Sequence, residues 1–209
     1  MIFLVVGVPL GHLISQWIED IEIELPEFRI IKAYSKNPNW RNQLKEALSN
    51  YGDNLEKKIA VIGTYDSISS SSFIEIFNTR KPPGSKEVMI IADEMHNFGA
   101  NDSRKGMLDI YTARLGLSAT PKRYFDEEGT DLLFNYFGDT IFELDIKEAI
   151  EKKYLTPYDY FPKFVYLNDE EIEKYHAITF QMNRFFNKDN SEQNQTYFKL
   201  AIKRARILK

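Results

Sequence analysis

The chain has 209 residues, 43% of them hydrophobic and 28% charged, a formal net charge of −4 and no cysteine. That is globular composition, which excludes a disordered or collagen-like chain, and the length suits one large domain or a domain with an appendage. The missing cysteines exclude a disulfide scaffold, a thiolate zinc site and a thiol nucleophile. They point to a reducing, cytoplasmic setting, while the mild acidity argues against histone-like binding but leaves room for a local basic groove.

The first element is an apolar run, Ile2 to Val6, with no Lys or Arg before it and a break at Gly7 and Pro9. A signal peptide needs a basic start, and a membrane span needs about 20 apolar residues, so the run is read as a buried strand and no membrane partner is expected. Leu10, Leu13, Ile14, Trp17, Ile18 and Ile21 then share one helical face. Phe28 to Ile31 reads as a second strand. Asn37-Pro38 opens a helix striped by Trp40, Leu44, Leu48 and Tyr51. Ile59 to Ile62 is the third strand, Phe73 to Phe77 lies in a short helix, and Lys81-Pro82-Pro83-Gly84 is a loop. Val88 to Ile91 and Arg114 to Ala119 are the fourth and fifth strands. A helix near Asp131 to Phe137 and a strand at Thr140 to Leu144 follow. Strands apolar on both faces, alternating with helices, predict an α/β fold with a mostly parallel sheet flanked by helices.

The pattern changes near residue 146. Asn168 with Glu171 resembles a capping box and opens a helix striped by Ile172, Tyr175, Thr179, Met182 and Phe186. Asn187 to Asn194 reads as a turn. From Tyr197 a second helix carries Phe198, Ile202, Ala205 and Leu208 on one face and a basic stripe, Lys199, Lys203 and Arg206, beside it. The expected division is therefore 1–145 for the sheet domain and 146–209 for a C-terminal helical extension.

Chemistry concentrates in Asp93-Glu94-Met95-His96, two carboxylates and a histidine at the carboxyl end of an apolar strand. Ligands of open α/β sheets bind at that edge. One acid can hold a hydrated Mg²⁺, the other can orient or deprotonate a water, and His96 can relay the change. The plainer alternative is an acidic turn at a strand exit. The three histidines have no paired metal-ligand spacing, which weighs against a metallohydrolase. A second strand exit, Ser118-Ala119-Thr120-Pro121, offers small hydroxyls that can bond a neighbouring acid or histidine.

Together these segments resemble superfamily-two nucleic-acid helicases and translocases. Asp93-Glu94-Met95-His96 looks like the DExH form of motif II, and Ser118-Ala119-Thr120 looks like motif III. Val5 to Leu10 with Leu13, Gln16 and Trp17 resembles motif Ia, and Gly63 to Ser67 resembles the strand-end Thr-Tyr motif. Phe125 to Gly129, Tyr136-Phe137-Gly138, Lys147 to Ile150 and Leu155 to Tyr158 resemble the segment after motif III in the restriction-subunit-like and DEAH-like branch.

The resemblance implies a RecA-like, P-loop NTPase fold with ATP and Mg²⁺ as cofactors. It implies that Asp93 holds Mg²⁺ through water, Glu94 activates the attacking water, and His96, Ser118 and Thr120 couple nucleotide state to grip. Pro9, Gln16 and Thr64 fall in motifs that line the nucleic-acid track, with DNA preferred over RNA as partner. The phosphate-cradling G-x-x-x-x-G-K-[ST] loop does not occur in the 209 residues. In the family it precedes motif Ia, which here begins at Met1, so that loop and the second RecA-like domain are expected outside this chain, and the fold is expected to be incomplete. Taken alone, the chain is expected to bind ATP weakly and not to hydrolyse it. The strand at Arg114 to Ala119 is expected to have an open edge, inviting self-association or an upstream segment, or to be closed by Thr140 to Leu144. Two other functions fit parts of the sequence: an ATP-independent nucleic-acid-binding module using the basic stripe, and a phosphohydrolase using Asp93 and Glu94.

Overall fold

A computed structural model describes the chain except for residues 1, 54, 56, 57, 80–87, 124, 125, 185–190 and 209. The expected loop at Lys81 to Gly84, and Phe125, Phe186 and Asn187 to Asn190, lie outside the described residues. The chain divides into two compact units, residues 1–143 and 144–209. No helix among the described residues is long and apolar enough to cross a membrane.

In the first unit five strands form one parallel sheet: β1 (Ile2–Val8), β2 (Arg29–Ala33), β3 (Lys58–Thr64), β4 (Val88–Asp93) and β5 (Ala113–Leu117). Their order is β2-β3-β1-β4-β5, so β1 is central and β5 lies at an edge. The strands alternate in the direction of their side chains, and both directions are apolar. Phe3, Val5, Ile59, Val61, Val88 and Ile90 face one way; Leu4, Val6, Val8, Ala60 and Ile62 face the other.

Helix α1 (Leu13–Glu24) covers the second face with Ile14, Ile18 and Ile21. Leu10, assigned to that stripe from sequence, precedes the helix and is exposed. The first face is covered by α2 (Trp40–Gly52), α3 (Tyr65–Ile68), α4 (Ser71–Thr79) and α5 (Glu127–Phe137). Helix α2 begins two residues after Pro38, which lies in the preceding turn while Asn37 bonds Lys32 O and Gln43 Oε1 at 2.9 Å each. This face is rich in rings. Phe77 stacks on Phe73 at 4.7 Å, meets Phe3 edge-on at 5.3 Å and leans on Tyr111 at 6.4 Å.

Tyr111 is 1% exposed and its hydroxyl has no hydrogen-bond partner among the described residues. A buried donor left unpaired costs about 1–3 kcal/mol. Tyr111→Phe removes that hydroxyl and keeps the ring, so we expect a gain of about 1 kcal/mol in unfolding free energy. Urea denaturation at constant m-value is the measurement, and an equal loss would show that the hydroxyl has a partner.

Two expectations are corrected here. The fifth strand ends at Leu117 rather than Ala119. Thr140 to Leu144 is not a strand: it alternates suitably but makes no ladder, and Ile141 and Phe142 are 86% and 75% exposed. Part of it faces β5 across a cavity of about 170 Å³ lined by Leu115, Gly116, Phe137 and Phe142.

The second unit contains α6 (Ile146–Glu151), α7 (Asp169–Asn183) and α8 (Ser191–Ala205). Asp145 caps α6 by accepting Glu148 N–H. Asn168 and Glu171 form a reciprocal capping box at α7, as their spacing predicts. Helix α7 packs on α8, with Ile178 and Met182 buried and Ile172 exposed. Arg204 of α8 lies over the Tyr175 ring and donates to Thr179 Oγ1 at 3.3 Å. The packed face of α8 is therefore the Arg204 side, whereas Phe198, Ile202 and Leu208 are 70%, 47% and 60% exposed. Residues 191–194, expected in a turn, already belong to α8.

Candidate functional site

The register puts the strand ends on one rung. Thr64 pairs with Val8, Ala92 pairs with Gly7, and Asp93 pairs with Leu117. Pro9, Thr64, Asp93 and Ser118 thus share the carboxyl edge of the sheet, the edge where open α/β sheets bind ligands. Gln16 is exposed on α1, Pro9 is half-buried after β1, and Thr64 Oγ1 donates to Ser67 Oγ at 3.1 Å. Among the described residues no hydrogen bond joins these three to Asp93, Glu94 or His96.

Beyond Asp93 the backbone turns sharply. Glu94 has φ 49° and ψ 54°, a left-handed conformation that costs of order 1–3 kcal/mol for a side chain with a Cβ. Its carbonyl accepts the N–H of Asn97 at 2.9 Å, which opens the short 3-10 turn Met95–Asn97. The strained turn points Asp93 and Glu94 in different directions although they are adjacent. Asp93 continues the alternation of Met89 and Ile91 toward α1; Glu94 turns toward β5.

Glu94, His96 and Ser118 meet there. Asn97 Nδ2 donates to His96 Nε2 at 3.1 Å, which leaves the ring proton on Nδ1. Nδ1–H then donates to Ser118 Oγ at 2.9 Å. Ser118 Oγ also accepts the Thr120 main-chain N–H at 3.1 Å, and its own proton points to Glu94 Oε2 at 3.4 Å. His96 Nδ1 is 3.4 Å from the same Glu94 oxygen. Every donor and acceptor in this chain has a consistent role, so the hydroxyl links the loops after β4 and β5. Thr120 takes part through its main-chain N–H.

Gly116 leaves room for the Met95 side chain beside the turn. A Cβ there would stand 2.2 Å from Met95 Sδ. Arg123 braces the turn from outside by donating to the His96 carbonyl and, at 2.7 Å, to Asp126 Oδ2. The Arg123 hydrogen bond, helped by Gly129 N–H, holds the Asp126 carboxyl below the usual carboxylate range.

Asp93 itself is held from two sides. Trp17 donates its indole Nε1–H to Asp93 Oδ2 at 3.0 Å, and Tyr65 donates its hydroxyl to the Asp93 carbonyl at 2.6 Å. Burial, reinforced by Asp93 and Glu94, pushes the Tyr65 hydroxyl far above the ordinary phenol value, so it remains a donor. Sequence reasoning gave neither side chain a role. Both lie within the helicase-like motifs, Trp17 after Gln16 and Tyr65 after Thr64, and that adjacency is the signal for them. Arg123 carried no signal.

Residues 2–123 match the family described as type III restriction enzyme, res subunit. Over 74 residues the chain is 35% identical to the type I restriction enzyme EcoAI endonuclease subunit of Escherichia coli, a match spanning 34% of this chain and 9% of that protein. A nuclease-deletion mutant of the type ISP restriction-modification enzyme LlaGI, solved with a DNA substrate mimic, aligns with a TM-score of 0.49 and 20% identity. That alignment covers 73% of this chain and 14% of the other. The chain therefore spans a small part of the length of the proteins it matches. It belongs to the res-subunit family of type III restriction enzymes, the helicase-like superfamily-two branch that its motifs resemble.

Proposed function

We propose that this chain supplies the motif Ia to motif III part of an ATP-dependent translocase or helicase that works on DNA in a restriction system. The observation that carries the reading is the hydrogen-bonded bridge Glu94–Ser118–His96 beside Asp93, at the carboxyl edge of a parallel sheet. Membership of a restriction-enzyme family supports DNA over RNA.

The donor set suits Mg²⁺ bound with nucleotide. That ion keeps most of its waters and takes one or two carboxylates plus phosphate oxygens. Asp93 offers one carboxylate with Oδ2 tied to Trp17 and Oδ1 without a partner among the described residues. No group of three or more acidic or histidine side chains among them forms a closed protein cage. Bound ATP and Mg²⁺ would supply a phosphoryl group with its charge partly neutralised. Asp93 would hold that metal through its water. Glu94 orients the attacking water and accepts its proton, and Ser118 and His96 pass any shift of Glu94 to the loop after β5. Pro9, Gln16 and Thr64 contact the strand backbone.

The chain lacks the loop whose backbone amides and lysine grip the β- and γ-phosphates, and Glu94 cannot replace them. The 209 residues by themselves are therefore expected to bind DNA without hydrolysing ATP. Fluorescence anisotropy with single- and double-stranded oligonucleotides over a range of salt tests the first half. Gln16→Ala and Thr64→Ala should each weaken binding about threefold to tenfold, the worth of one neutral hydrogen bond. Neither carries charge, so the salt slope should stay unchanged. An ATPase assay against Glu94→Gln tests the second half. Absence of salt-dependent DNA binding would sink the nucleic-acid reading, and Glu94-dependent turnover would sink the claim that the chain alone is inactive. The same reading includes pairing through the outer edge of β5, either with a second copy or with a strand from a larger assembly.

A further inference from the structure

Two segments proposed for the DNA track converge on one residue. Gln16 is followed by Trp17, whose indole reaches Asp93 Oδ2. Thr64 is followed by Tyr65, whose hydroxyl reaches the Asp93 carbonyl. Tyr65 is 3% exposed and its ring stacks on Phe98 at 4.7 Å with planes 15° apart. Its hydroxyl cannot turn away without opening the core. Trp17 lies half-buried beside Ile14, Ile18 and Ile21, the three side chains that anchor α1 to the sheet. Both tethers are thus fixed at their far ends.

Their effects on Asp93 differ. The Tyr65 bond fixes the main chain where the extended strand gives way to the left-handed Glu94. The Trp17 bond fixes the carboxylate. An N–H aimed at a charged oxygen is about twice as strong as a neutral hydrogen bond, and it selects one rotamer of a short side chain. Among the described residues nothing else holds that carboxylate. Without the indole it would be free to rotate away from the rung shared with Ser118.

We propose that Trp17 is a positioning residue: with Tyr65 it fixes the Asp93 carboxylate for the divalent cation and joins the DNA-facing helix α1 to the carboxylate that holds that cation's water. The inference rests on the reading of Asp93 given above. Gln16 and the indole sit on the same helix, so what holds α1 in place also holds Oδ2. Groups outside a metal's direct ligands typically contribute tenfold to a hundredfold in metal affinity, and Asp93 with its indole tether belongs to that shell.

The test uses the full ¹⁵N-labelled chain. Trp17 and Trp40 are its two tryptophans, so two indole signals are expected. Asp93→Asn should move the Trp17 indole proton upfield and leave Trp40 in place. Trace Mn²⁺ should broaden the amide signals of residues 92–95 in the wild type. Trp17→Phe should then need about tenfold more Mn²⁺ for equal broadening. Tyr65→Phe keeps the ring, removes the second tether and should raise the requirement as well, which decides the matter should Trp17→Phe fail to fold. Equal Mn²⁺ requirement in the variants and the wild type overturns the positioning role while leaving Asp93 as the group that holds the cation's water. No broadening at residues 92–95 in the wild type overturns both readings.

Discussion

Phe77→Ala should lower the unfolding free energy of the sheet unit by about 4 kcal/mol, within the range of about 3–5 kcal/mol for a fully buried phenylalanine. Phe77 has no exposed surface and stands where three elements meet. Its ring stacks on Phe73 one turn away in α4, meets Phe3 of β1 edge-on, and leans on Tyr111 ahead of β5. Phe3 in turn packs edge-on against Tyr51 at 5.8 Å, and Phe73 against Trp40 at 6.1 Å. Truncation removes the transfer energy of the ring and leaves a hole bounded by other rings. Aromatic rings are rigid, so the hole cannot close well. Single domains are stable by about 5–15 kcal/mol, so this one change threatens the folded state. Urea denaturation followed by circular dichroism measures it. Ile23→Ala, at a position of the same unit that is 73% exposed, should stay within about 0.5 kcal/mol and serves as the control.

The sheet was readable because its strands are apolar on both sides, a signal that needs no partner to be recognised. Ile59 to Ile62 and Val88 to Ile91 lie in β3 and β4, each strand extending a little beyond the run. The capping box at Asn168 was readable for a related reason, since its two hydrogen bonds are local. Thr140 to Leu144 failed because apolar alternation shows that a segment can face a core, not that a neighbour offers it a ladder. The packed face of α8 failed differently. The half-buried residues of α8 are Tyr197, Leu200, Ala201 and Arg204, a face one step round from Phe198 and Ile202, and Arg204 lays its guanidinium on Tyr175 there, so the bulkier side chains point to the wrong stripe. In the site, Asp93, Glu94, His96 and Ser118 were legible as residue types at strand exits, and the structure brings the last three into hydrogen-bonding or near-contact distance. The left-handed turn at Glu94 was not legible, because no glycine or asparagine announces it. The role of Trp17 was hidden by its own size. On an apolar helical stripe an indole reads as core, and its N–H has no expected direction until the sheet register brings Asp93 beneath it.

Sedimentation velocity of the purified chain should show concentration-dependent association, and Leu117→Lys should return it to monomer. Among the described residues β5 pairs with β4 alone, so one row of its N–H and C=O groups has no strand partner. Natural edges are protected by charge, proline, bulges or a covering segment. Arg114 is the one charged residue of β5, and its guanidinium turns away over the Tyr136 ring at 4.1 Å while bonding the Tyr111 and Tyr136 carbonyls. Thr140 to Phe142 line the cavity beside β5 without forming a ladder. Register carries the side chains of Leu115 and Leu117 onto the face of Ile91 and Asp93, where Leu117 is 37% exposed. A hydrophobic row beside unpaired backbone groups favours strand addition. The edge is five residues long, which limits the interface and makes association weak and dependent on concentration. Lysine at position 117 places a charge that a paired strand would have to bury, and its long stem keeps the local packing in solution. A wild-type chain that stays monomeric at every accessible concentration would show instead that the segment beside the cavity shields β5 without forming a ladder. In that case Ile141→Asp, which draws that segment toward water, should create the association that the wild type lacks.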